Sequence, residues 1–160
     1  MRLGIISDTH DQYRRTAAAV ALLAGYGAET IIHCGDLTQP DIIATFAGIP
    51  TFFVFGNNDF EEEAIREAIQ EIDGTCLEYG GLITLDGKRI GVTHGHLARE
   101  YRRLIGEKPD YLFYGHTHVA FDDGEESTRR INPGALHRSR QWTVAILDLS
   151  SNRLEFIEVS

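Results

Sequence analysis

Cysteine is scarce in this sequence, and long hydrophobic runs are absent. The 160 residues include two cysteines, Cys34 and Cys76, which form no CxxC pair. We expect both to be small buried side chains rather than parts of a disulfide framework. The longest apolar run, residues 17–25, is far shorter than the ~20 residues that cross a bilayer, and the apolar start is too short for a signal peptide. These absences predict a cytoplasmic protein that does not associate with membranes.

Basic residues are also few. Lys and Arg number 15 against 24 Asp and Glu, so the formal net charge is −9. Binding to nucleic-acid phosphates or to an anionic membrane surface needs clustered Lys and Arg. The deficit therefore argues against dedicated nucleic-acid binding and against docking on a membrane surface.

Length and composition predict a single domain over residues 1–160. Apolar residues make up 42% and charged residues 24% of the chain, which is typical of a globular protein. One core stops growing only beyond about 250–300 residues, and a chain of this size folds without disulfides or a structural metal. No repeat, low-complexity tract or Ser/Pro-rich linker divides the sequence.

The first half of the chain alternates β-rich runs with helical patterns, which predicts βαβ units around a parallel sheet. Tyr13, Ala17, Val20 and Ala24 recur at helical spacing and are predicted to form one apolar face of the first helix. The strands are predicted at residues 3–7, 30–33 and 51–55, and the helices at residues 13–24, 41–46 and 61–72.

The second half has the pattern of hairpins, because turn sequences such as Asp86-Gly87-Lys88 separate short β-rich runs. Residues 122–126 and 150–152 form two further predicted turns. Antiparallel strands are predicted at residues 82–85, 89–93, 119–121, 127–131, 142–149 and 153–158, with a helix at 97–105 and another strand at 111–114. Two sheets packed face to face, with helices outside, would bury all of these runs. The predicted fold class is therefore an α/β sandwich.

Five predicted strands stop at Asp, Asn or His, usually beside a glycine. The five strand ends are Ser7-Asp8-Thr9-His10, His33-Cys34-Gly35-Asp36, Gly56-Asn57-Asn58-Asp59, Thr93-His94-Gly95-His96 and Gly115-His116-Thr117-His118. In open α/β sheets, ligands bind beyond the carboxyl ends of the strands. Taken singly, the first motif fits a helix cap and the next two fit ordinary turns. Five such motifs on successive strands instead indicate one shared polar site.

The side chains of these motifs form a set of metal donors. Seven of them carry suitable oxygen or nitrogen atoms: Asp8, His10, Asp36, Asn57, His94, His116 and His118. Seven donors are too many for one tetrahedral zinc ion but suit two ions that share a bridging carboxylate. Mixed imidazole and carboxylate donors favour Mn, Fe, Zn, Co or Ni over Ca or Mg. We therefore predict two divalent transition-metal ions, with manganese as the first candidate.

This series of motifs resembles the calcineurin-like metallophosphoesterases. The short length and Asn132-Pro133-Gly134 resemble their small YfcE-type phosphodiesterase branch, and the resemblance covers essentially the whole chain. It implies a four-layer sandwich of two mixed β-sheets flanked by helices. It also implies two metal sites: the first is formed by Asp8, His10, Asp36 and His118, and the second by Asn57, His94 and His116 with Asp36 as the bridge.

The resemblance implies a hydrolase that acts on phosphate esters. Two divalent ions carry four positive charges, so Asp8, Asp36 and a bridging hydroxide leave the site at about +1, and the site attracts an anion. The ions lower the pKa of the bridging water and spread charge during in-line displacement. The predicted function is metal-dependent hydrolysis of a small phosphodiester, with a bridging hydroxide at the two-metal site.

One position departs from the family pattern. Phosphomonoesterases of this superfamily commonly have His after the ligand Asn, whereas this chain has Asn58, whose amide cannot act as a general acid at neutral pH. This favours diesters and leaves the role of Asp59 open, since Asp59 would otherwise orient that histidine. His96 is the alternative acid or phosphate contact, unless it only supports the metal ligands. The candidate catalytic residues are thus His96, Asn58 and Asp59.

Two alternative functions stay open: hydrolysis of phosphomonoesters or nucleotides, and a non-catalytic interaction scaffold like the retromer subunit of this fold. A scaffold is free to lose metal ligands, and this chain keeps every matched one, which favours an enzyme. His33 is not among the predicted donors and is predicted to be a hydrogen-bonded core histidine. His137, Arg138 and Arg140 lie either at the mouth of the site or in a solvated loop. The sequence is compatible with a homo-oligomer and does not name the natural substrate.

Overall fold

Two mixed β-sheets pack face to face, and helices cover their outer sides. The computed structural model describes residues 1–124 and 127–160. In chain order the elements are β1 (Arg2–Ile6), α1 (Tyr13–Gly25), β2 (Thr30–His33), a 3-10 helix (Pro40–Phe46), β3 (Thr51–Phe53), α2 (Glu62–Glu71), β4 (Thr75–Cys76), β5 (Gly80–Leu85), β6 (Lys88–Thr93), α3 (Ala98–Gly106), β7 (Tyr111–Phe113), β8 (Phe121–Asp122), β9 (Arg129–Asn132), β10 (Thr143–Asp148) and β11 (Arg153–Glu158). This arrangement confirms the predicted α/β sandwich.

Each sheet has parallel strands at its centre. The first sheet has the order β11-β10-β1-β2-β3-β4. Strands β1 to β4 are parallel, and the hairpin of β10 and β11 adds antiparallel strands at one edge. The second sheet has the order β5-β6-β7-β9-β8. Its strands β6, β7 and β9 are parallel, with antiparallel strands β5 and β8 at the two edges.

Alternating side chains along the strands create two hydrophobic cores. Leu3 and Ile5 of β1 point between the sheets and pack with residues of the second sheet such as Phe113. Ile6 points to the other face and packs with helical residues such as Leu23 of α1. All five side chains are fully buried, and each such burial stabilises the fold by roughly 1.5–3 kcal/mol. The two cores hold β1 on both faces and so fix the position of its carboxyl end.

The helices form the two outer layers. Helices α1 and α2 and the 3-10 helix cover the first sheet, and α3 packs on β5 and β6 of the second. Helix α2 buries Ile65 and Ile69, which are four residues apart on one face, and has Glu62 and Glu63 in its first turn. Acidic side chains there stabilise the positive end of the helix dipole. No helix among the described residues has the length and apolar character that a membrane span requires.

The second half of the chain is less antiparallel than predicted. The pairs β6–β7 and β7–β9 are parallel, because α3 and the segment after β7 return the chain to the same end of the sheet before each new strand. The hairpin of β8 and β9 is antiparallel, as predicted. Its predicted turn includes Glu125 and Glu126, which lie outside the described residues.

In the first half, the predicted apolar face of α1 is wrong, and one short strand was not predicted. The buried residues of α1 are Thr16, Ala19, Val20 and Leu23, whereas Tyr13 is 49% exposed and Ala24 is also exposed. The alanine-rich helix offers several apolar faces, and packing of the bulky Leu23 on the sheet selects one of them. Strand β4 was not predicted, because two residues are too few to show alternation.

Candidate metal centre

The five predicted strand ends meet at one place between the two sheets. Strands β1, β2 and β3 are neighbours in the first sheet, and β6 and β7 are neighbours in the second. Backbone hydrogen bonds join the loops within each sheet: Asp8 N donates to Gly35 O (3.0 Å), and Gly115 N donates to His94 O (3.0 Å). Across the sheets, His116 N donates to Asp8 Oδ2 (3.1 Å). The donors predicted from separate motifs therefore line a single centre.

Most of the donor residues have an unusual backbone conformation. The φ angles are 51° at Asp8, 45° at His10, 60° at Asp36, 68° at His116 and 60° at His118. Positive φ is uncommon for residues other than glycine and costs roughly 1–3 kcal/mol at each position. Such strain persists only where the surrounding structure imposes it, and it is typical of functional sites.

Two close approaches in this centre require glycine. A Cβ atom at Gly56 would overlap Asp36 Oδ1, and one at Gly115 would overlap Ser7 Oγ and contact Asp8 Oδ2. Since the carboxylates lie directly against these backbones, even alanine would displace them. The glycines beside Asn57 and His116 in the sequence motifs thus have a steric explanation.

The first donor group consists of Asp8, His10, Asp36 and His118. One ligand atom from each residue lies within 4.8 Å of all the others. His118 Nε2 is 3.0 Å from Asp8 Oδ1, and His10 Nε2 is 3.4 Å from Asp36 Oδ2. This is the set that the family resemblance implies for one metal.

Two buried atoms of the first group have no hydrogen-bond partner among the described residues. They are Asp8 Oδ1 and His10 Nε2. An unsatisfied buried polar atom costs about 1–3 kcal/mol, so native proteins rarely leave one without a ligand. A carboxylate oxygen and an imidazole nitrogen suit a divalent transition metal. The residues present therefore fit the metal that the sequence predicts.

The second donor group surrounds Asn57. Its Oδ1 lies 3.1 Å from His94 Nε2 and 3.1 Å from His116 Nδ1. His94 Nε2 is also 3.4 Å from Asp36 Oδ2, so Asp36 borders both groups. Asp8, Asp36 and His94 are buried, whereas Asn57 and His116 are exposed. The centre thus has a buried carboxylate floor and a side open to solvent.

Hydrogen bonds at Nδ1 of two histidines determine that Nε2 is the nitrogen facing the centre. His94 Nδ1 donates to the carbonyl of Cys34 (2.7 Å), and His118 Nδ1 donates to the carbonyl of Arg138 (3.4 Å). A carbonyl can only accept, so each neutral ring carries its proton on Nδ1 and directs an unprotonated Nε2 at the carboxylates. Backbone acceptors of this kind commonly orient metal-binding histidines.

The electrostatics of the centre favour an ionised Asp36. Burial disfavours the charged form, but the imidazoles of His10 and His94, each with Nε2 3.4 Å from Asp36 Oδ2, outweigh burial and hold the pKa of this carboxyl well below its usual range. Burial likewise lowers the pKa of His94, yet the nearby Asp36 and Asp8 raise it overall. The Asp8 carboxylate, 3.0 Å from Nε2 of His118, raises the pKa of His118. Asp36 is therefore negatively charged at neutral pH, the form that binds cations.

Two of the three candidate catalytic residues contact Asp36. Asn58 donates from its backbone N to Asp36 Oδ1 (2.9 Å) and from Nδ2 to Asp36 Oδ2 (2.8 Å). The buried Asp59 carboxylate accepts the backbone N–H groups of Asp36 (2.9 Å), Thr38 (2.7 Å) and Gly56 (2.7 Å). Burial raises the pKa of Asp59. These contacts support a role for both residues in positioning Asp36, and direct contact with a substrate stays a prediction.

His96 lies at the edge of the second donor group. Its ring centroid is 5.4 Å from that of His94 and 6.3 Å from that of His116. Its Nδ1 is buried without a hydrogen-bond partner in the described part of the chain. Burial and the neighbouring His94 and His116 lower its pKa. The side chain is half-buried beside the donors, where the predicted leaving-group contact would need it.

The two remaining histidines, His33 and His137, have different surroundings. His33 is fully buried, accepts from Gly35 N at Nδ1 (3.1 Å) and lies 3.0 Å from Thr9 Oγ1 at Nε2. Burial lowers its pKa to about 3, so the predicted core histidine is confirmed. His137 stacks on His10 with 4.2 Å between ring centroids, which places it at the mouth of the centre rather than in a solvated loop.

Asn132 supports the centre in a way that was not predicted. This fully buried side chain donates from Nδ2 to Gly115 O (2.9 Å) and to Thr117 Oγ1 (3.0 Å). Its Oδ1 accepts from Gly134 N (3.0 Å). The only signal in the sequence is Asn132-Pro133-Gly134 itself, which shows a turn but not which loop the amide holds.

Comparisons with known proteins agree with this geometry. A family model described as the calcineurin-like phosphoesterase superfamily domain matches residues 1–152. Phosphodiesterase MJ0936 of Methanocaldococcus jannaschii is 30% identical over 165 residues, covering 99% of this chain and 98% of that protein. Phosphodiesterase YfcE of Escherichia coli is 25% identical over 146 residues, covering 85% and 79%. The structure of an archaeal phosphodiesterase has a TM-score of 0.91 at 28% identity, covering 99% of this chain and 100% of the other. Because the family match extends over nearly the whole chain that builds the centre, the protein belongs to the calcineurin-like phosphoesterase superfamily.

Proposed function

We propose that this protein is a phosphodiesterase that hydrolyses a small phosphodiester at a two-metal site. The observation that carries the proposal is the position of Asp36 between the two donor groups, 3.4 Å from His10 Nε2 and 3.4 Å from His94 Nε2. A carboxylate in this position can serve two cations at once. The similarity to proteins named phosphodiesterases supports the same reaction class.

The seven donors would hold two divalent ions, with manganese as the first candidate. When bound, the ions would activate a water molecule as the nucleophile and neutralise charge on the phosphoryl oxygens. The chain itself keeps Asp8 and Asp36 buried and oriented, and leaves the side of Asn57 and His116 open to solvent. Substrate therefore approaches from the exposed side, toward the buried carboxylates. Retention of all seven donors favours an enzyme over an interaction scaffold.

The contacts of Asn58 support a diester rather than a monoester. Its side-chain amide donates to Asp36 Oδ2 and its backbone N–H donates to Asp36 Oδ1, and an amide has no acidic proton to give a leaving group. A leaving group therefore gains no proton donor at this position, where phosphomonoesterases of this superfamily commonly have His.

Metal removal and replacement test the proposed function directly. Protein whose metal has been removed with a chelator is expected to be inactive toward bis(4-nitrophenyl) phosphate. On addition of Mn²⁺, activity is expected to return and to saturate at about two equivalents, as a two-metal mechanism requires. The diester is expected to be hydrolysed with a higher kcat/KM than 4-nitrophenyl phosphate. Saturation at one equivalent, or hydrolysis of the monoester alone, would contradict the proposal.

His96 is proposed to contact the leaving group and protonate it. Replacing His96 by Gln is then expected to slow hydrolysis of thymidylyl-thymidine, which has an alkoxide leaving group, by about 10²-fold, the lower end for a general acid. Hydrolysis of bis(4-nitrophenyl) phosphate is expected to change far less, because nitrophenolate leaves without a proton. His137→Gln is the control, since that ring stacks on His10 and its loss affects both substrates equally. An equal effect of His96→Gln on both substrates would show that His96 only supports the metal ligands.

A further inference from the structure

A cleft of about 450 Å³ opens beside the metal ligand His118. Its wall is formed by residues 117–120, which follow β7, and by residues 138–141 and Thr143, which lie before and in β10. None of these described residues is acidic, although the chain has 24 Asp and Glu against 15 Lys and Arg. Four other clefts in the part of the chain that the structure describes each include at least one carboxylate. The cleft beside the metal centre is therefore distinguished by its positive charge.

The positive charge comes from Arg138 and Arg140. Both residues line the cleft and are exposed. Neither has a carboxylate oxygen within the 4.0 Å of a salt bridge among the described residues. Six of the other eleven arginines do have such a partner: Arg2, Arg66, Arg89, Arg103, Arg129 and Arg130. In an acidic protein, two uncompensated guanidinium groups in one cleft favour an anionic ligand.

The segment that carries the two arginines, residues 138–141, is attached to the metal centre through its backbone. The carbonyl of Arg138 accepts from His118 Nδ1 (3.4 Å). The Ser139 hydroxyl, which has one proton to donate, lies 3.2 Å from His118 O and 2.8 Å from Gln141 O. Arg138 has a φ of 46°, a conformation that residues other than glycine rarely adopt. The fold thus accepts strain at Arg138 and holds the segment against His118.

An apolar side chain completes the cleft. Val119 directly follows His118, lines the same cleft and is 63% exposed. The cleft beside His118 therefore offers an apolar side chain and two guanidinium groups. A phosphate on a short carbon skeleton matches this combination, because each guanidinium can donate two parallel hydrogen bonds to phosphate oxygens.

We propose that this cleft binds a second phosphate, carried by one alcohol component of the substrate diester. The inference rests on the proposed function and specifies its substrate class: a phosphodiester with an additional phosphate group. Two arginines offer more donors than a single carboxylate can accept, which is why we assign a phosphate rather than a carboxylate.

Two matched substrates test the cleft in the Mn²⁺-loaded protein. They are thymidine 5′-(4-nitrophenyl phosphate) and the same compound with a 3′-phosphate, so reaction and leaving group are identical. The 3′-phosphate is expected to raise kcat/KM by about tenfold, the effect of one charge-assisted contact. The double variant Arg138→Gln/Arg140→Gln is expected to lower this ratio to about one, while Arg153→Gln, in another cleft, keeps the wild-type ratio. A wild-type ratio near one, or an unchanged ratio in the double variant, would overturn the inference.

A binding measurement separates this inference from the proposed function. If neither compound nor bis(4-nitrophenyl) phosphate is hydrolysed, the proposed function fails, and calorimetry still tests the cleft. Thymidine 3′,5′-bisphosphate is then expected to bind about tenfold more tightly than thymidine 5′-phosphate, and the double variant is expected to lose this difference. Equal affinities for the two nucleotides in the wild-type protein would overturn the inference.

Discussion

Replacing Asp36 by Asn is expected to reduce phosphodiester hydrolysis by more than about 100-fold, the upper figure for residues that only orient metal ligands. Asp36 borders both donor groups, with Oδ2 3.4 Å from His10 Nε2 and 3.4 Å from His94 Nε2. Asn keeps the shape and one oxygen, but it removes the negative charge and puts an NH₂ group, which cannot bind a cation, in place of the other oxygen. In the proposed two-metal arrangement, both donor groups are expected to lose metal affinity together, because Asp36 borders both of them.

The measurement is turnover of bis(4-nitrophenyl) phosphate together with bound metal by elemental analysis. The Asp36→Asn protein is expected to retain fewer than two metal ions and to keep its secondary structure, since Asn58 can still donate to the remaining oxygen. Asp41→Asn is the matched control, because Asp41 is exposed on the 3-10 helix and its variant is expected to retain wild-type turnover. If Asp36→Asn binds two ions and turns over normally, Asp36 is not the shared ligand.

The convergence of the predicted donor residues on one centre is the part of the site that sequence alone predicts well. Each donor lies within a few residues of a strand end, so local motifs such as Asp8-Thr9-His10 contain both the signal for the strand and the chemistry. The spacing of the motifs does not show which donors lie together in each group. That His118 lies beside Asp8, 110 positions earlier in the sequence, follows from packing of two sheets, and the family resemblance rather than the spacing indicates it.

Contacts that leave no local pattern in the sequence account for most of what sequence reasoning did not find. The carbonyl of Cys34 orients His94, and any residue at position 34 would supply the same carbonyl. The stacking of His137 on His10 depends on the path of the chain after Gly134. The same limit applies to the fold: the parallel pairing of β6, β7 and β9 is decided by crossovers, which leave no local pattern.

Asp59 shows most clearly how a side chain can position the centre through backbone contacts, and its loss has the second large expected effect. Its carboxylate accepts backbone N–H groups from Asp36, Thr38 and Gly56, and so joins the loop after β2 to the loop after β3. Asp59→Ala leaves three donors without this acceptor. Since one unsatisfied buried donor costs about 1–3 kcal/mol and water refills part of the space, we expect a loss of about 3 kcal/mol in the free energy of unfolding.

Asp59→Asn is expected to lose about half as much, because its amide oxygen can still accept from Asp36 and Gly56 while its NH₂ group faces the N–H of Thr38. Urea unfolding of metal-free protein measures both losses without a contribution from bound ions. Asp123→Ala is the control for stability alone, since Asp123 is also a largely buried acceptor of a backbone N–H, from Arg130 (2.7 Å), and lies in the second sheet's edge hairpin.

Metal affinity distinguishes positioning of Asp36 from a merely structural role of Asp59. If the carboxylate holds Asp36 and the backbone beside Asn57 in place, Asp59→Ala weakens metal binding by about 10–100-fold, as expected for residues that orient ligands. Turnover then recovers largely at saturating Mn²⁺, because the donors themselves are intact. Asp123→Ala lowers stability but leaves metal affinity unchanged. If folded Asp59→Ala has wild-type metal affinity, the role of Asp59 is limited to holding the two loops together. If turnover is lost even at saturating metal, Asp59 has the catalytic role that the sequence predicts.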